Sequence, residues 1–228
     1  MIVPILIAAL LSAPVQDTTQ MTTYQMVFLY KTAVPDSSIP NLQAIQQEHL
    51  DRLAALNRKR VNVLYGPIND GGELAGIAVL AVASADEARS AFAADPYVKS
   101  GALRVNVRPW FGPKDGFGLP ASYDVLNPDT LEPFVLGFLV DGPNRSQDVS
   151  TAAEIQKGHL AYMTALHAQG KLAVAGPFMD EQSPRGIVIY RVNSLDEAKA
   201  LAAGDPAVKA GRLAIEPHPW LTLKGILK

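Results

Sequence analysis

Residues 24–30 (YQMVFLY) form a short run of aromatic and branched side chains with little polar interruption, and residues 134–140 (FVLGFLV) repeat the pattern. Runs of this length and composition read as strands covered on both faces. Each is followed by a segment of helical period. Leu42, Ile45, His49, Leu50, Leu53 and Leu56 recur at spacings close to a helical turn, as do Ile155, His159, Leu160, Met163 and Leu166. One apolar stripe therefore carries a histidine in both segments, and the stripe is expected to face a sheet. Residues 61–65 and 172–175 are short strand-like runs stopped by Gly66-Pro67 and Gly176-Pro177. Residues 77–82 and 187–192 read as strands again, so each pair forms a hairpin. Ser84-Ala85-Asp86-Glu87 and Ser194-Leu195-Asp196-Glu197 are capping boxes that open second helices running to Asp95-Pro96 and Asp205-Pro206. The last strands, 103–107 and 213–215, lead to Pro109 and Pro219, which suit an edge position because proline has no amide to donate.

The two halves are a true repeat. At an offset of 110, residues 49–110 align with 159–220 without a gap and are identical at 23 of 62 positions. The chain thus reads as a unit at 24–112, a Gly/Pro/Asp-rich linker at 113–133 and a second unit at 134–222. The order βαββαβ, twice, predicts two tandem ferredoxin-like α+β units, each with two helices on one face of a four-stranded antiparallel sheet. The bare face of each sheet needs cover, and the other copy supplies it. The expectation is two sheets packed on one another as an intrachain pseudo-dimer, a pseudo-dimeric α+β barrel, with further homo-oligomerisation left open.

Composition narrows the chemistry. The 228 residues are 48% hydrophobic and 18% charged, which excludes a disordered chain, and the net charge of −2 gives no pull toward nucleic acid. With no cysteine, disulfides, zinc–thiolate sites, iron–sulfur clusters and thiol nucleophiles are excluded together. The N-terminal MIVPILIAALLSAPV is shorter than the ~20 residues that span a bilayer, and polar QDTTQ follows it. Residues 1–20 are expected to be a signal peptide, which implies a periplasmic or secreted protein with no stable membrane span after processing. If Met21 is the true start, a cytoplasmic location follows instead.

In this topology His49, the Gly66-Pro67-x-x-Asp70 turn and Asp95-Pro96 are expected at one rim, and His159, Gly176-Pro177-x-x-Asp180 and Asp205-Pro206 at the equivalent rim of the second copy. A histidine beside a carboxylate is held in one tautomer and can move a proton near neutral pH. The candidate catalytic residues are therefore His49, Asp95, Asp70, His159, Asp205 and Asp180, with no metal and no cofactor required. Competing structural readings exist for each: a core histidine bonded to backbone, and aspartates that merely stop helices or shape turns. Lys99 and Lys209 are expected to face water, and Trp110 and Trp220 to pack at the barrel rim. His167 and His218 align with Asn57 and Arg108, so no role shared between the copies is expected for them, only a surface one.

The string His159-Leu160-x-x-Met163-x-x-Leu166-His167-x-x-Gly170-Lys171-Leu172-x-x-Ala175-Gly176-Pro177, followed by Asp205-Pro206-x-Val208-Lys209-x-Gly211 and Pro219-Trp220, resembles the YCII-related (YciI-like) domain. Copy one shows the same frame in His49-Leu50, Gly66-Pro67 and Asp95-Pro96-Tyr97-Val98-Lys99. The resemblance implies a dimeric α+β barrel and a catalytic histidine and aspartate, with some relatives acting on chlorinated or lactone-like intermediates of ring degradation. Copy one departs from it at Arg60-Val61, where Gly-Lys is expected, and copy two at Ala207, where Tyr is expected. Two functions follow as expectations. One is a cofactor-independent His/Asp acid–base enzyme of lyase, isomerase or hydrolase type, acting on a small oxygenated or halogenated organic molecule. The alternative is a non-catalytic small-ligand-binding or scaffold protein of the cell envelope.

Overall fold

The computed structural model describes residues 20–228, so the expected leader lies outside the described residues except for Gln20, whose carbonyl accepts the Lys114 N–H at 2.5 Å. Copy one runs β1 (Met21–Lys31), α1 (Leu42–Arg58), β2 (Asn62–Pro67), β3 (Leu74–Leu80), α2 (Ala85–Ala93), α3 (Pro96–Lys99) and β4 (Leu103–Pro113). Copy two runs β5 (Leu131–Asp141), α4 (Val149–Ala168), β6 (Leu172–Pro177), β7 (Gly186–Tyr190), α5 (Leu195–Gly204), α6 (Pro206–Lys209) and β8 (Leu213–Leu223). The sheet orders are β2-β3-β1-β4 and β6-β7-β5-β8, all antiparallel, which is the ferredoxin-like arrangement twice. No helix of the described residues is long and apolar enough to cross a membrane.

The capping boxes form as their spacing demands: Ser84 accepts the Glu87 N–H at 3.2 Å and Ser194 accepts the Glu197 N–H at 3.1 Å. Along β1 the even residues Tyr24, Met26 and Phe28 turn toward the other copy, while Val27 and Leu29 lie under the helices. Phe28 meets Phe138 and Phe178 at 5.8 and 5.7 Å between ring centroids, so the two sheets share one aromatic core.

The sheets also touch edge to edge, β4 against β6 and β2 against β8, closing an eight-stranded barrel. Glycine makes this possible. A Cβ on Gly66 would stand 2.0 Å from the Leu221 carbonyl oxygen, and one on Gly176 would stand 2.0 Å from that of Phe111. The Gly-Pro pairs that read as strand stops are thus points of close approach between copies. The last strands run beyond their expected ends, through Pro109 and Pro219. Pro109 pairs with Gln25, and its carbonyl turns away to accept the Met179 N–H of copy two at 2.9 Å. Its missing amide would have pointed at that same seam, so β4 loses no bond to β1.

One expectation needs correction. The stripe on α1 does not lie wholly on the sheet: Leu53, Ala54 and Asn57 are buried, whereas Leu42, Ile45, His49 and Leu50 are only half-buried. The helix rests on both β2 and α3, which divides its apolar positions between two supports. The segment between the copies is also more than a spacer. Phe117 is 2% exposed and packs against Tyr24 and Trp110, and Leu227 beyond β8 pairs with it.

Candidate functional site

His49 sits mid-way along α1, and Asp95 caps α3, where its Oδ1 accepts the Tyr97 N–H at 3.0 Å. The Asp-Pro pair suits that corner, since proline at the first helical position needs no amide partner while aspartate takes up the next one. The other carboxylate oxygen, Oδ2, accepts His49 Nδ1–H at 2.7 Å. Copy two is built alike: Asp205 accepts Ala207 N–H at 2.8 Å through Oδ1 and His159 Nδ1–H at 2.6 Å through Oδ2. A carboxylate only accepts, so Nδ1 carries the hydrogen and the neutral ring offers its lone pair at Nε2. Both aspartates are 1% exposed, while the histidine side chains keep 12% and 10% exposure. No described residue bonds either Nε2, and neither atom is among the buried polar atoms sealed from solvent.

The two dyads differ in their neighbours. Tyr97 stands edge-on to His49 with centroids 5.3 Å apart. Its hydroxyl pKa is raised, by burial first and then by the Asp36 and Asp95 carboxylates. In copy two the equivalent residue is Ala207, 2% exposed, and the rings that feel the Asp205 charge are Tyr162 and Tyr190, which come from other elements. Gly158, aligned with Glu48, lies closely against Pro206 instead.

Asp70 and Asp180 do not join these dyads, contrary to the expectation that they share a rim with His49 and His159. The β2–β3 and β6–β7 hairpins reach across to the other copy. Asp180 accepts from Arg108 Nε at 2.8 Å and Nη2 at 2.6 Å, a bidentate pair beside which Nη2 also donates to the Gln182 and Pro184 carbonyls. Asp70 accepts from His218 Nδ1 at 2.5 Å. Both carboxyls are held below the usual range, Asp180 chiefly by its bonds from Arg108 and Asp70 chiefly by its bond from His218. The expectation that positions 108 and 218 share no role is therefore overturned. In each copy a cation or potential cation on the last strand holds the hairpin aspartate of the other copy. The repeat frame contained that signal, because 108 aligns with 218 and 70 with 180, but only barrel closure joins one pair to the other.

A cleft of about 250 Å³ opens between the copies, lined by Pro67 and Asn69 of copy one and by Phe134, Val192, Ser194 and Trp220 among others of copy two. It touches neither dyad. Among the described residues no three His, Asp or Glu side chains converge to hold a metal ion.

The architecture recurs in solved structures of low identity. A mutant chlorite dismutase from Candidatus Nitrospira defluvii in complex with cyanide is 7% identical, with 87% of this chain and 90% of that one covered at a TM-score of 0.55. A heme-binding protein from Thermus thermophilus is 11% identical, with 89% and 92% covered at a TM-score of 0.50. At such identity they speak for the fold alone. No curated protein sequence matches the chain. The family model for the YCII-related domain matches residues 26–111 and again 137–217, together most of the chain and each enclosing one His/Asp dyad. The protein belongs to the YCII-related domain family and carries that domain twice.

Proposed function

We propose that each copy is a cofactor-independent acid–base site in which His49 or His159 moves a proton on a small oxygenated or halogenated organic molecule, in a lyase, isomerase or hydrolase reaction. The observation that carries this reading is the arrangement of the imidazoles. Nδ1 is anchored on a buried, capped carboxylate, and Nε2 is left without a partner among the described residues in both copies. The neutral ring takes a proton at Nε2, and the buried carboxylate stabilises the imidazolium that results, ready to return it. Asp95 and Asp205 orient and stabilise, with no need to take the proton themselves. Tyr97 stands beside His49 in the first site, whereas Tyr162 and Tyr190, from other positions, neighbour Asp205 in the second, so the two are expected to differ in turnover.

The cleft between the copies does not suit heme, which a protein of the same fold binds. The cleft between the copies is smaller than the roughly 300–1,000 Å³ of ordinary ligand pockets, and no His, Tyr, Met or Lys lines it. The remoteness of that cleft from both imidazoles favours the second reading, a protein that binds a small apolar ligand without transforming it. Residues 1–20, read as a signal peptide, extend either proposal to a periplasmic or secreted protein.

The deciding experiment screens chlorinated and lactone-type acids for turnover and compares wild type with His49→Ala, His159→Ala and the double variant. The double variant is expected to lose about 10²–10⁴ in rate while staying folded, and the single variants to lose unequal factors. Full turnover in a folded double variant overturns the enzymatic proposal. Ligand binding that survives the double variant, without turnover in any form, supports the binding protein.

A further inference from the structure

The barrel closes along two seams that occupy equivalent places in the repeat, yet the bonds across them differ. At the β4/β6 seam Trp110 Nε1–H donates to the Gly176 carbonyl at 2.9 Å, Met179 N–H donates to Pro109, and Arg108 grips Asp180 with two bonds. Arg108 is 6% exposed and its guanidinium lies 4.0 Å over the Phe178 ring. At the β2/β8 seam the backbone bridge between Ile68 and Trp220 matches that between Phe178 and Trp110, but Trp220 Nε1 has no partner among the described residues. The side-chain bonds across it come from the Thr222 hydroxyl, donating to the Tyr65 carbonyl at 2.7 Å, and from His218, with a single bond to Asp70. The 250 Å³ cleft lies at this second seam, and two of its lining residues, Asn69 and Pro219, are the chain neighbours of Asp70 and His218.

An arginine is charged at every pH a cell meets, whereas an imidazole ordinarily changes charge between pH 5 and 8. We propose that the His218–Asp70 pair is a protonation-controlled clasp, which holds the β2/β8 seam together beside the cleft when His218 is charged and loosens as the imidazole loses its proton. The Arg108–Asp180 seam stays shut throughout. The groups around the imidazole allow this. The β2–β3 hairpin presents Asp70 to it, β5 presents Leu136 and the Phe138 ring at 5.2 Å, and Glu216 lies two residues along its own strand. No fixed cation stands among these neighbours to take over when the imidazole is neutral. Neutral Nδ1–H can still donate to Asp70, but without charge assistance, and the bond is solvent-accessible, with side-chain exposures of 23% and 25%. Because Asp70 is held ionised below the usual carboxylate range, the charged pair forms in mildly acidic solution and is lost as the imidazole gives up its proton.

Hydrogen exchange on the full chain tests this, with intrinsic rates corrected for pH. Peptides covering 64–74 and 216–224 are expected to lose protection at least fivefold between pH 5.5 and 8, while peptides covering 104–112 and 174–184 hold theirs. His218→Arg should keep the seam protected at pH 8. Asp70→Asn should leave it poorly protected at both pH values, which also tests the clasp if the arginine variant fails to fold. Equal protection of both seams at the two pH values overturns the proposal, as does a pH dependence that persists in His218→Arg or Asp70→Asn.

Discussion

Copy one and copy two assign different side chains to the same tasks. Asn57 Nδ2 donates to the Asn62 carbonyl at 2.7 Å, and in copy two a nitrogen of His167, at the same place, donates to the Leu172 carbonyl at 3.0 Å. Arg52 donates to the Ala91 carbonyl at 2.8 Å, and Tyr162 donates to the equivalent Leu201 carbonyl at 2.9 Å. In each case the acceptor is backbone, which the fold supplies whatever the local sequence, so any donor of suitable reach serves. The His/Asp dyads are the opposite case. There the same two residue types stand in both copies, although backbone partners for a helix-borne donor are plentiful. That contrast separates side chains that only need to reach a backbone acceptor from a pair in which both residue types recur.

The largest loss is expected at the seam glycines, where the two copies are equivalent. Gly66→Ala and Gly176→Ala each force a Cβ onto a carbonyl oxygen of the other copy. Each is expected to cost on the order of 3–5 kcal/mol, by denaturant melts, with similar effects in both copies. Unequal losses would mean that one seam yields more easily than its geometry suggests. Position 108/218 should then part the copies. Arg108→Ala leaves Asp180 without its guanidinium beside a largely buried site and should cost about 2–4 kcal/mol. His218→Ala removes an accessible pair and should cost about 0–1 kcal/mol near neutral pH.

The dyads sharpen the comparison at smaller scale. Asp95→Ala and Asp205→Ala remove a helix cap and strand a histidine N–H, for an expected loss of about 1–3 kcal/mol each, whereas the Asn variants retain an acceptor and should lose less. If the Asn variants fold well but lose turnover, the carboxylate charge matters to the chemistry and not only to the corner. The smallest effect is expected at Arg60, which adopts φ 59° where copy two has Gly170 at φ 71°. Arg60→Gly relieves the left-handed strain but gives up bonds to the Gly118 and Phe117 carbonyls. The net change in melting free energy should stay within about 1 kcal/mol. A large loss would show that the arm from Arg60 is what fastens the segment between the copies.

Element order, the repeat and the two sheets were legible because hydrophobic period, capping boxes and Gly-Pro stops are local signals, and the repeat printed each of them twice. That Asp95 could meet His49 and Asp205 could meet His159 was legible for a related reason, although Asp70 and Asp180 stood beside them as candidates too. A helix and the cap of a later helix are brought to one corner by the topology of a single unit, so the contact lies within the reach of one βαββαβ frame. Asp70, Asp180, Arg108 and His218 were not legible, because their partners lie in the other copy and depend on how two sheets curve until their edges meet. That closure rests on the absence of side chains at Gly66 and Gly176, and what a missing Cβ is for cannot be read along a chain. The sequence by itself determined which residues could do chemistry and which elements would carry them. The tertiary structure alone decided which carboxylates face the imidazoles and which bind the barrel together, since a contact between copies follows from the shape of the closed barrel and from no local pattern.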